Sequence, residues 1–149
     1  KGNGVIADVT SSGALPTLES LMRFSGARHR IIAHNIANIS TPNFVQKDVS
    51  IRDFQATLGK AIEARRAETG GMMGPLHLES SEEVTIVEGG GMELNPTTST
   101  GGVMSHDRNN RSIERLMQDH AENAGVFRIA SELLRSRMQF MRDVIAERV

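Results

Sequence analysis

The sequence predicts a mainly α-helical, elongated fold. An N-terminal and a C-terminal helix form an antiparallel, coiled-coil-like hairpin, which carries an extended segment, a short third helix and a flexible Gly-rich middle with room for a small β-hairpin. Three observations lead there. Apolar residues recur at three- and four-residue spacing from Leu18 to Ile36. They recur again, in a heptad, from Ile113 to Ile145. Between these runs the chain gathers its glycines, and only Val84-Thr85-Ile86-Val87 has clear strand propensity.

Composition limits what such a fold can bury. The chain has 149 residues, the length of one structural domain, but only 38% are apolar, with five Phe and no Trp or Tyr. That is too little for a large globular core, so the chain is elongated or completes its burial against partners. Seventeen basic and eighteen acidic residues are interspersed for a net charge of −1. No basic field suits nucleic acid, and no polybasic run suits anionic lipid. Without cysteine there is no disulfide and no thiolate metal site. No window reaches the length of a transmembrane helix. No basic stretch followed by an apolar one opens the chain, so a Sec signal is not expected.

Residues 1–16 read as a mobile lead-in. Pro16 suits the mouth of a helix and Thr17 its N-cap. Leu18, Leu21, Met22, Ser25, His29, Ile32 and Ile36 then share one face, while Arg23, Arg28 and Arg30 mostly point elsewhere. The helix stops near Asn38, within Asn35-Ile36-Ala37-Asn38-Ile39-Ser40-Thr41-Pro42-Asn43-Phe44. Pro42 lacks an N–H and biases Thr41 towards extended geometry. Pro42-Asn43 fits the centre of a type II turn, whose second central residue needs positive φ; Asn tolerates that best after Gly. Phe44 to Ile51 is extended, and Phe54 to Arg66 returns to helical spacing with Phe54, Leu58, Ala61 and Ile62 in one row. This second part of the chain spans 17–66, and the flexible middle spans 67–108.

The last part, 109–149, is a long helix with Ser112 as N-cap. Ile113, His120, Phe127, Leu134 and Met141 repeat every seven residues. Leu116, Ala130 and Val144 occupy a second row, and Met117, Ala124, Met138 and Ile145 a third. Unbroken, the helix is about 54 Å long. Glu114, Asp119, Glu122, Arg128, Glu132, Arg135 and Arg142 give the opposite face a solvated character. The apolar rows exceed what the first helix can cover, so the surplus is read as an interface for other subunits. His120 and Asn123 are polar residues on the apolar stripe, read as an interhelical hydrogen bond or as a device that fixes register.

Catalytic chemistry is not indicated. His29 and His34 lie five residues apart, about 140° around a helix, and do not converge as ligands. The Gly89-Gly90-Gly91 run lacks the Gly-Lys-Ser/Thr ending of a phosphate loop. No catalytic, cofactor-binding or metal residue is predicted, no cofactor is expected, and the chain is not read as an enzyme.

The helix ending and the long partner helix together resemble the rod and hook proteins of the bacterial flagellum. Those proteins end their first helix with Ala-Asn-x-x-Thr-x-Gly-Tyr/Phe. Here the stretch reads Ala37-Asn38-Ile39-Ser40-Thr41-Pro42-Asn43-Phe44, led by Asn35, with Asn43 in place of the usual Gly. The short chain, Lys47-Asp48-Val49, His77-Leu78, Asn109-Asn110, Ile113-Glu114-Arg115 and Ala121-Glu122-Asn123 are similar to the proximal rod members. Leu116 stands where an acidic residue is usual and Phe127 where Tyr is common. The resemblance implies a structural subunit of the proximal rod in the basal body, exported through the flagellar type III apparatus and needed for motility. It implies assembly through the terminal helices around the export channel. The implied partners are other rod subunits, the adaptor FliE and the MS-ring and export-gate region, with no nucleic acid and no small-molecule substrate. The related rod protein FlgC is an alternative. A soluble coiled-coil adaptor or chaperone is an alternative of a different class.

Overall fold

A computed structural model describes residues 13–70, 74–87, 91–98 and 108–146, with side chains in the last stretch described from residue 113 onward. Most of the expected lead-in, the Gly89-Gly90 pair, the stretch 99–107 and the side chains of Asn109, Asn110 and Ser112 lie outside the described residues. The elements in order are α1 (Ala14–Asn38), β1 (Lys47–Asp48), α2 (Ile51–Thr69), β2 (Val84–Val87), β3 (Gly91–Leu94), β4 (Thr97–Thr98) and α3 (Arg108–Ala146). The mainly helical class with a small antiparallel hairpin is therefore as the sequence predicts.

Helix boundaries differ from the expected ones for identifiable reasons. α1 starts a turn early, at Gly13, with no side-chain cap bond. Pro16 falls in the first turn, whose N–H groups lack intrahelical acceptors anyway, so its ring forfeits no bond. Thr17 is consequently buried inside the helix rather than capping it. α2 runs past both ends of the predicted segment. Ser50 caps it by accepting the Asp53 N–H at 3.2 Å. Gly70 closes it at φ 71°, with its N–H on the Arg66 carbonyl at 3.0 Å. α3 begins at Arg108, so Ser112 lies inside it; no Gly or Pro between them interrupts the backbone. Its 39 residues span about 58 Å.

α3 lies antiparallel along α1, with Ser25 opposite Asn123 and Arg28 opposite Asp119. Leu116, Asn123 and Ala130, seven residues apart, form the buried line of this contact. Continuing that register, α3 runs about a dozen residues, or roughly 18 Å, past the level of Ala14.

The apolar core lies elsewhere. Phe24 of α1, Val49, Phe54, Leu58 and Ile62 of α2, and Val84 of β2 pack together, flanked by Leu76, Leu78, Ile86, Met92 and Leu94. The Phe24 and Phe54 rings stack at 3.9 Å between centroids. The β2–β3 hairpin pairs Val84 with Leu94 and Val87 with Gly91. A Cβ on Gly91 would fall 2.5 Å from Val87 Cγ2, so this end of the hairpin needs glycine. Glu83 ties the hairpin down: its carboxylate accepts the Ser50 N–H at 2.6 Å and the Thr97 hydroxyl at 2.8 Å. The described part of the middle is thus packed against α1 and α2, because Val84, Ile86, Met92 and Leu94 present one apolar face. β4 returns to pair with β1, Lys47 opposite Thr98 and Asp48 opposite Thr97.

Candidate assembly site

The elbow after α1 is built from the residues of the Ala37–Phe44 stretch. The Thr41 N–H reaches the Asn38 carbonyl at 2.9 Å, and the Phe44 N–H closes a turn on the Thr41 carbonyl at 3.2 Å. Asn43 takes φ 60°, the one positive φ outside glycine among the described residues. Pro42 and Asn43 are exposed at the tip, as are Ala37 and Thr41. The Asn38 amide donates back to the His34 carbonyl at 2.9 Å, and the His34 ring meets Phe44 edge-on at 5.6 Å.

Two buried polar side chains of α1 then fix the chain that leaves the elbow. Asn35 donates to the Lys47 carbonyl at 2.6 Å and accepts the Lys47 N–H at 3.2 Å, so one amide serves β1 as a neighbouring strand would. Arg28 holds Asp48 with two bonds, Nε to Oδ1 at 2.9 Å and Nη2 to Oδ2 at 2.6 Å. Asp48 Oδ1 also accepts the Val49 N–H at 2.8 Å. This corrects the expectation that Arg28 points away from the packed face; it is 3% exposed. The signal was present in the spacing: Ser25, Arg28, Ile32 and Asn35 continue one buried line at steps of three and four.

Arg28 also faces α3, with Nη2 4.0 Å from Asp119 Oδ1. Its Nη1 is buried without a hydrogen-bond partner among the described residues. Burial pushes the Asp119 carboxyl above its usual range; Arg28 and Arg115 oppose this, and Asp48 and Glu122 add to it. Next to this cluster, Asn123 donates to the Ser25 carbonyl at 2.8 Å in a buried interhelical bond, and His120 lies 4.9 Å from His29.

The other predicted packing residues divide into three groups. Leu18, Ile32, Leu116 and Ala130 are buried. Leu21, Met22, Ile36, Ile113, His120, Ala124 and Leu134 are partly covered. Met117, Phe127, Met138, Met141, Val144 and Ile145 are exposed. α1 therefore buries the Leu116–Asn123–Ala130 line fully and covers its neighbours only in part. The face predicted to be solvated charge differs from expectation, since it also displays Val126, Ile129, Leu133 and Phe140. Sequence reading passed over them because their spacing is interleaved with the charges. An open groove lies between α1, the elbow and β3, walled by Ile31, His34, Phe44, Val45, Met92 and Leu94. Among the described residues no three His, Asp or Glu side chains gather at a metal-sized site. Among them, too, no helix is long and apolar enough to cross a membrane.

No known family profile matches the chain. No solved structure matches it. A match is found with the flagellar basal body rod protein FlgB of Salmonella typhimurium (strain LT2), at 26% identity over 132 residues, covering 89% of this chain and 92% of that protein. An alignment of that length takes in the elbow, the hairpin and at least part of both long helices, so along most of its sequence the chain is similar to a flagellar basal body rod protein.

Proposed function

We propose that this protein is a structural subunit of the flagellar rod, acting by assembly and not by catalysis. The observation that carries the reading is similarity to a rod protein along nearly the whole of both chains, through helices as well as loops. The surface is of the kind such a subunit needs. Met117, Phe127, Met138, Met141 and Ile145 stand exposed along α3, more apolar surface than one helix pair uses. In this reading α1 and α3 build the inner tube of the proximal rod around the export channel. Asn35, Asn38, Thr41, Pro42, Asn43 and Phe44 orient the segment that reaches a neighbour. The partners are other rod subunits, the adaptor FliE and the MS-ring and export-gate region. The site of action is the periplasmic rod, reached through the flagellar type III apparatus.

The test is a deletion of the gene in its own organism, followed by swimming assays and electron microscopy of purified basal bodies. Loss of swimming with truncated rods, restored by the intact gene, is expected. A deletion strain that swims and keeps complete rods overturns the proposal.

A further inference from the structure

The β2–β3 hairpin has one finished edge and one open edge. The Asn95 N–H bonds to the Glu83 carbonyl at 2.8 Å, which makes Thr85–Glu93 and Val87–Gly91 the hydrogen-bonded pairs of the register. The residues between them turn their backbone groups outward. On the β2 side these groups are met. The Ser81 and Ser80 hydroxyls accept the Val84 and Ile86 N–H groups at 3.2 and 3.0 Å, and the Ser81 N–H reaches the Val84 carbonyl at 2.7 Å. On the β3 side Met92 and Leu94 have no such partner among the described residues. That edge borders the groove against α1 and the elbow, which opens about 620 Å³ between walls that include Ile31 and Val45. Arg30 and Lys47 stand exposed there, without an ion-pair partner among the described residues, against one acid, Glu93.

An unpaired edge beside an apolar trough suits an extended peptide, which adds to it as a further strand. We infer that the groove takes the run Val5-Ile6-Ala7-Asp8-Val9-Thr10 of a second copy of this chain, added as a strand to the open edge of β3. Residues 1–12 lie outside the described residues, and their sequence supplies what the groove lacks. Four of the six residues in the run are β-branched, and Asp8 is an acid for Arg30 or Lys47. The chain's own run falls short of its own groove. Its middle lies at most about 19 Å from Gly13 with the backbone fully extended. Ile31 lies about 27 Å from Gly13 along α1. The donor is therefore a different copy. The inference goes beyond the rod reading and does not rest on it. Each chain gives its run at one place and takes one at another, so the contact closes into a ring or continues as a row.

The test is NMR of the full-length, isotope-labelled chain titrated with a synthetic peptide of residues 1–12. Saturable shifts of the Met92, Glu93, Leu94 and Val45 amides are expected. Without peptide, the Met92–Leu94 amides are expected to move towards the same positions as the chain concentration rises. A strand turns alternate N–H groups to the edge it joins. Of two peptides, N-methylated at Val5, Ala7 and Val9 or at Ile6, Asp8 and Thr10, at least one is therefore expected to lose binding. Asp8→Asn in the peptide is expected to weaken binding about two- to fivefold. Equal binding of a scrambled peptide or of the Asp8→Asn peptide, or no loss from either N-methylated one, overturns strand addition by this run. Met92–Leu94 amides that hold the bound positions at every concentration and ignore the peptide put the run in its own chain and overturn the second copy. Shifts confined to α3, or no shifts at all, overturn the site.

Discussion

Arg28, Asp48 and Asn35 show how single polar groups set the course of this chain. Arg28 is the more deeply buried partner, so Asp48→Ala strands a guanidinium already short of one hydrogen bond. The expected loss is about 3 kcal/mol, measured by urea unfolding. Asp119 carries the opposite lesson. Its folded carboxyl titrates above its ordinary value of 3.8, so just above that value the folded chain binds more protons than the unfolded one. Its contribution to stability therefore falls as pH rises through that window, is lowest above the folded pKa, and recovers on acidification below 3.8. Asp119→Asn removes that slope, and urea midpoints across the weakly acidic range will be flatter than the parent's; an unchanged slope refutes the assignment. At Asn43, whose φ is 60°, Gly is tolerated while Val costs about 1–2 kcal/mol and impairs rod assembly, checked by thermal unfolding and by motility of the two variants. Asn43 was legible from its place after Pro42. For Arg28 the spacing held the signal of burial, but not its partner, because Asp48 lies on a different element.

At the scale of elements, α2 and the hairpin carry more of the core than sequence spacing alone conveyed. Phe54, Leu58 and Ile62 were readable as a row, and they are buried. What they pack on was not readable, since Val84 and its neighbours come from a Gly-rich stretch whose strands are four residues long. A four-residue run gives too few repeats for periodicity to reveal its partner. The consequence is a contrast between two apolar residues. Leu58→Ala, at a fully buried site, is expected to cost about 2–5 kcal/mol. Ile129→Ala, on the open flank of α3, is expected to stay within about 0.5 kcal/mol in the isolated chain. Equal losses in chemical denaturation would mean that the flank is covered within the chain itself.

For the whole molecule, the two-helix arrangement was legible because both stripes are long, and antiparallel pairing followed from their order. That α3 has more apolar surface than α1 can cover was legible too, but which line α1 takes was not, because a heptad states that a face is apolar without stating what covers it. The part of α3 that runs along α1 and the last dozen residues, which continue past Ala14, should therefore differ in solution. Amide exchange by mass spectrometry on the isolated chain is expected to be slow around residues 116–130 and fast over 135–146, with the second region slowing on assembly. Uniform protection along α3 before assembly would contradict this.

The separation in sequence of the two sets of α1 contacts has a kinetic consequence. Asn35 and Arg28 meet β1 across 12 and 20 residues, whereas Ser25 meets Asn123 across 98. Closing the longer loop costs about 2 kcal/mol more in chain entropy than closing the 12-residue one. The elbow therefore has its own short-range means of forming early, while docking of α3 waits for nearly the whole chain. A subunit arriving at its place of assembly could present its elbow to an existing neighbour first and commit its long helix last, so the final fold and the final lattice contact would be completed in one step.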